Sequence, residues 1–194
     1  RDKLVTGVQT CALPIWVLRQ LLLANQGAIE EWALGLDDAA LQAAVDLLHD
    51  AEDVYVAGVR RSAPAATYLT YLLQHTPKRV HLVLGPGGTF AGQMRSIRKG
   101  DLLVAISFAP YAKETRGCVR IAHGRGADVL SITDSAMSPV ARGATAHLLV
   151  KEASAFAFRS LTNTLCLCQG LFIALASRLE LDLDAPQDPG AIDD

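Results

Sequence analysis

Hydroxyl, arginine and glycine residues recur in this 194-residue sequence directly after short apolar runs. They stand as Gly58-Val59-Arg60-Arg61-Ser62, Gly85-Pro86-Gly87-Gly88-Thr89, Ser107-Phe108-Ala109-Pro110-Tyr111 and Thr133-Asp134-Ser135. These residue types together do the chemistry of an anion site. A helix N-terminus offers unpaired backbone N–H groups and a partial positive charge, hydroxyls add short hydrogen bonds, and an arginine fork can clamp an oxyanion. At Ser62 two readings stay open. The hydroxyl can meet a ligand, or it can cap a helix that tolerates Pro64 in its first turn, with Arg60 and Arg61 simply solvated. Gly85-Pro86-Gly87-Gly88 would allow close approach of a ligand to the backbone, but a lone glycine-rich turn also serves as a plain connection.

Other chemistries find less support. Ketose–aldose isomerisation needs a base beside the substrate carbons and an acid for ring opening, and the candidates are Glu152, His75, His81 and His123. His81 falls within a strand pattern and His123 late in a helix pattern, so both read as structural and no acid/base pair stands out. Gly58 lacks the glycines of a dinucleotide turn, no acidic residue ends the second strand, and no P-loop is present. The four cysteines, at 11, 118, 166 and 168, form no C-x-x-C pair or zinc-type cluster. Catalytic residues, metal and cofactor are therefore not expected, and a reducing, cytoplasmic compartment is. Cys166 and Cys168 lie two apart in a helix pattern and should face different sides, as two small core residues and not a metal site.

The elements that must position these residues follow from hydrophobic period. Residues 17–34 read as a helix with one apolar side, through Leu18, Leu21, Leu22, Ala28, Ile29 and Trp32. A second helix starts at Asp37 or Asp38, both good N-caps, and passes through Leu41, Ala44, Val45 and Leu48. Strands are predicted at 54–58, 80–84, 102–107, 128–132 and 146–150. Helices are predicted at 63–74, 89–97 and 111–123, with a closing helix at 158–179. Short apolar strands alternating with helices imply an α/β fold, a five-stranded parallel doubly wound sheet covered on both faces. In such sheets ligands bind beyond the carboxyl ends of the strands, where strand order reverses.

Composition bounds the rest. Eighteen basic and 20 acidic residues give a net charge of −2, which argues against a large nucleic-acid-binding face, and 51% hydrophobic residues suit one folded core. The uncharged run Ser160 to Ser177 carries Thr162, Asn163, Thr164 and Gln169 and reads as a buried helix of a soluble protein, not a membrane span. Residues 1–15 fit none of this pattern. VTGVQTCALPI resembles a translated sequencing-adapter segment, so 1–15 is set aside and a native N-terminal region is expected to be missing.

GVRRS at 58–62, GDLLVAISFAPYAKET at 100–115 and GADVLSITDSAMSPVA at 126–141 resemble the sugar isomerase (SIS) domain. The version is the one found in the RpiR/MurR family of bacterial transcriptional regulators. The resemblance covers about residues 38–180, leaving 16–37 as a connector helix and 181–194 as a tail. It implies a non-catalytic sensor that binds a phosphosugar or related small anion, forms a homodimer, and reaches DNA only through a helix-turn-helix domain ahead of this stretch. The alternative is a stand-alone phosphosugar isomerase. The implied ligand residues are Arg60, Arg61, Ser62, Thr89, Ser107, Phe108, Tyr111 and Ser154. Of these, Ser62 and Ser107 match the family pattern position by position. The pattern G-x-G-x-S has Arg60 at its second glycine, and S-x-S-G-x-T has Ala109, Pro110 and Ala112 at its second serine, glycine and threonine. Two hydroxyls of the usual phosphate cradle are thus gone, and Arg60 or Arg61 could replace them as an anion clamp. The sequence Ile106-Ser107-Phe108, followed by Tyr111, Glu114 and Thr115, looks like a recurring branch of these regulators in which Tyr111 lines the pocket. An exposed Phe156 and Phe158 would fit a dimer contact.

Overall fold

A computed structural model describes residues 14–183. Residues 1–13 of the expected adapter-derived segment 1–15, with Cys11, and residues 184–194 of the expected tail 181–194 lie outside the described residues.

Five parallel strands make the sheet: β1 (Asp53–Ala57), β2 (Arg79–Val83), β3 (Leu102–Ile106), β4 (Asp128–Thr133) and β5 (Ala146–Leu149). Their order is β2-β1-β3-β4-β5, so the chain reverses direction across the sheet between β1 and β3. All residues of β1 and β3 are buried, as a run without polar alternation requires of central strands covered twice. Side chains still alternate between two cores. Val54, Val56, Val104 and Ile132 meet Leu48, Leu69 and Leu171 from α2 (Asp38–Asp50), α3 (Ala63–Leu73) and α6 (Thr162–Arg178). Tyr55, Ala57, Leu103 and Val129 meet Met94, Cys118 and Val119 on the other face, the last two from α5 (Lys113–Gly124). The expected doubly wound α/β sheet is observed.

Several boundaries differ from expectation. α1 (Pro14–Leu34) begins two residues before Trp16, with proline at a position where its missing N–H costs nothing. The helix expected at 89–97 shrinks to α4 (Phe90–Gln93), because Gln93 turns back to bond the end of β2. Its amide accepts from Gly85 N–H at 2.7 Å and donates to Leu82 O at 3.1 Å. Gly85 is needed there: it sits at φ +59, and a Cβ would lie 2.3 Å from the Phe90 ring.

The closing helix starts at Thr162, not Phe158. The preceding residues form a hairpin of β6 (Ser154–Ala155) and β7 (Phe158–Arg159). Its turn residues Phe156 and Ala157 have φ of 53 and 64, the left-handed pair of a tight hairpin turn. Neither type favours that conformation, so helical periodicity hid the turn.

Candidate functional site

Gly58 follows β1 and brings the next helix close: a Cβ there would lie 2.9 Å from Ser62 O and 3.0 Å from the Ala66 side chain. Arg60–Ser62 then form one 3₁₀ turn before α3. Arg60 has φ 54, the left-handed conformation of the glycine that the motif would place there. The turn after β3 lies beside it across the reversal point, and Arg61 stacks over Phe108 with its guanidinium carbon 5.2 Å from the ring centroid.

Arg61 and Phe108 share a cavity of about 160 Å³ with Asp134, Val150, Lys151, Glu152 and Arg159. Arg61 Nη1 donates to Ser160 O at 3.2 Å, while Nη2 is buried with no hydrogen-bond partner. Burial pulls the Arg61 guanidinium below its usual pKa, and the positive charge of Arg159 adds to the effect. Arg159 lies at the other side: Nη1 donates to Ala109 O at 3.1 Å and to Asp134 Oδ2 at 3.3 Å. Asp134 also accepts from Ala109 N at 3.2 Å and from the Tyr111 hydroxyl at 2.9 Å. Burial, then this hydrogen bond, raises the Tyr111 pKa. One carboxylate thus ties together the β3 turn, the end of β4 and the hairpin.

Glu152 is engaged on both oxygens. Oε1 accepts from Thr164 N at 2.7 Å and Thr164 Oγ1 at 2.6 Å, and Oε2 from Asn163 N at 3.2 Å. It caps α6 from a distance, since the adjoining Leu161 makes no side-chain cap.

The expected site residues separate into two groups. Arg61 and Phe108 line the cavity, and Tyr111 braces it through Asp134. Ser62 and Ser107 are buried beneath the two turns; Ser62 makes no side-chain cap, and the Ser107 N–H bonds to Ile132 O. Arg60 is exposed and reaches Glu114 at 3.9 Å. Thr89 is not brought in: it is exposed and closes its own turn on Pro86 O at 2.9 Å. Ser154 is exposed on β6 and does not line the cavity.

Sequence reading did not single out Arg159; it took Glu152 as a catalytic candidate, and Lys151 and Glu152 otherwise only as part of the segment 151–158 that the resemblance sets near the ligand and the dimer contact. Asp134 was in view at the end of the fourth strand but without a partner. His75 bonds the Tyr71 and Leu72 carbonyls, His81 bonds Asp53, and His123 faces Gly143, all away from the cavity. No His/Cys/Asp/Glu group fit for a metal occurs among the described residues, and none of their helices is long and apolar enough to cross a membrane.

The doubly wound sheet and the crevice at its reversal point define a Rossmann-like ligand-binding class. Residues 47–174 match the SIS domain, and the chain belongs to that family. The sugar isomerase domain of an RpiR transcription factor from Sphaerobacter thermophilus is 25% identical with TM-score 0.74, over 86% of this chain and 90% of that one. This agrees with the RpiR version of the domain expected from the motifs. The Vibrio vulnificus NanR protein complexed with ManNAc-6P shares the fold at TM-score 0.75 and 24% identity, over 84% of this chain and 63% of that chain. A Methanococcus jannaschii protein, with an inferred molecular function of 3-hexulose-6-phosphate isomerase, shares it at TM-score 0.62 and 20% identity, over 86% and 90%.

Proposed function

We propose that this chain is the effector-sensing domain of a transcriptional regulator, binding a phosphosugar or related small anion at the carboxyl edge of the sheet. The observation that carries this reading is Arg61, whose buried Nη2 has no partner and whose charge faces Arg159 across the cavity. Two guanidiniums around one small space are stabilised by a bound oxyanion. Ser62 and Ser107, buried in the turns after β1 and β3, are assigned as further donors to the same ligand. The RpiR and ManNAc-6P-bound NanR neighbours are consistent with a sensor.

The cavity is coupled to α1. Lys151 pairs with Glu31, the Asn163 amide donates to Ala28 O at 3.2 Å, Trp32 Nε1 donates to Leu149 O at 3.0 Å, and Trp16 meets Phe156 edge-on at 5.8 Å. A change at residues 149–159 is therefore felt by the helix that would lead to a preceding helix-turn-helix domain. Phe156 and Phe158 are 52% and 81% exposed, which favours a homodimer. A catalytic isomerase role is disfavoured because Glu152 spends both oxygens on α6.

The test is thermal unfolding of the full chain with ManNAc-6P, a pentose phosphate, inorganic phosphate and neutral sugars, alongside Arg61→Met. A true effector at about a hundredfold above its Kd adds about 2.7 kcal/mol, or roughly 5–10 °C, in the parent only. No shift with any anion, or an equal shift in Arg61→Met, overturns the assignment.

A further inference from the structure

We propose that the outer face of α5 is a contact surface for the phosphate backbone of nucleic acid, independent of base sequence. Lys113, Arg116 and Arg120 stand at i, i+3 and i+7 on the exposed side of this helix and, with Pro139 and Gly143, line a groove of about 420 Å³. No carboxylate lines it. The one acidic residue of α5, Glu114, is turned to Arg60 instead.

These three cations make no ion pair or hydrogen bond among the described residues, whereas Arg79, Arg98, Arg159 and Arg178 each hold a carboxylate. The arrangement costs stability in the isolated chain. Lys113 opens the helix at the positive end of its dipole, and Arg116 and Arg120 repel each other at i,i+4. An anionic partner removes both penalties.

Two observations favour nucleic acid over an acidic protein. None of the large apolar side chains that are exposed belongs to α5, so on this helix a protein partner would find no apolar anchor, the exposed Met137 lying on the β4–β5 connection. Residues three and four apart on a helix also have Cβ atoms about 5–6 Å apart, so the three cations form one row along α5 that can meet neighbouring phosphates. Gly143 lets the β4–β5 connection approach the helix, since a Cβ there would lie 2.8 Å from His123 Nε2. The net charge of −2 therefore conceals a local basic stripe. The groove shares no lining residue with the Arg61 cavity, so this proposal does not depend on the sensor reading.

The experiment titrates the full chain into a fluorescein-labelled duplex of about 20 base pairs and arbitrary sequence, read by anisotropy. Three phosphate contacts predict roughly forty-fold weaker binding on going from about 50 to about 200 mM salt. The triple variant Lys113→Gln, Arg116→Gln, Arg120→Gln should bind at least about tenfold more weakly at the lower salt while its Tm does not fall. A parent chain that fails to bind at about 50 mM salt, or a triple variant that binds as well as the parent, overturns the proposal. So does polyglutamate that displaces the duplex as effectively as unlabelled DNA.

Discussion

Arg60 sits in a backbone conformation that favours glycine. The pattern G-x-G-x-S has glycine at this position, and this chain has an arginine there at φ 54. An L-residue in that region costs about 1–2 kcal/mol. Arg60→Gly should therefore unfold at a Tm about 2–8 °C above Arg60→Ala, because both lose the side chain and only glycine relieves the strain. Equal melting temperatures would mean that the turn relaxes without glycine. The exposed Arg60–Glu114 pair adds little in either direction. Cysteine placement was legible in part at this scale: Cys166 and Cys168 face different sides, as their two-residue spacing on a helix requires, but only Cys168 is a core residue and Cys166 is exposed. Burial pushes the Cys168 thiol up to about 12 and Cys118 up to about 11, as inert core groups. The Arg61–Arg159 relation was not legible, since the two lie far apart in the chain and Arg159 reads as the first turn of a helix.

Helix α6 illustrates an element whose start is decided elsewhere in the chain. Its first turn contains no acidic residue, and its cap is Glu152, eleven positions before Asn163. Removing that carboxylate leaves the Asn163 and Thr164 N–H groups and the buried Thr164 hydroxyl without an acceptor. Glu152→Ala should destabilise the fold by about 1–2 kcal/mol, read as a lower urea midpoint with unchanged slope. Glu152→Gln should recover part of the loss. If Glu152→Ala unfolds like the parent, the carboxylate is not acting as a cap and its place in the cavity regains interest for catalysis. The elements with strong patterns were read correctly, β1 and β3 above all, because continuous apolar runs have no other stable home than a doubly covered strand. The hairpin before α6 was missed, since two-residue strands leave no period to detect.

For the molecule as a whole, acid stability is set partly at the sheet edge. Asp53 is buried at the start of β1, where hydrogen bonds from Arg79 at 2.6 Å and His81 at 2.8 Å hold its carboxyl well below the usual range. A depressed pKa contributes stability above the unfolded-state value near 4 and loses it as pH falls below that. Stability should therefore drop more steeply between about pH 5 and pH 3 in the parent than in Asp53→Asn, by about 1 kcal/mol. Parallel curves would exclude Asp53 as the source. The same strand pair shows the division between what was readable and what was not. Local pattern was enough to determine the five parallel strands, their two covering layers and the turns at the carboxyl ends of the strands. These depend on period, apolar run length and turn chemistry, which are properties of neighbours in sequence. Only the tertiary structure decided that Arg61, Asp134, Glu152 and Arg159 share one cavity and that Thr89 and Ser154 stay outside it. It alone also set the three cations of α5 along one groove. Such relations depend on which segments the folded sheet brings together, and contacts between residues far apart in the chain leave no periodic trace in it.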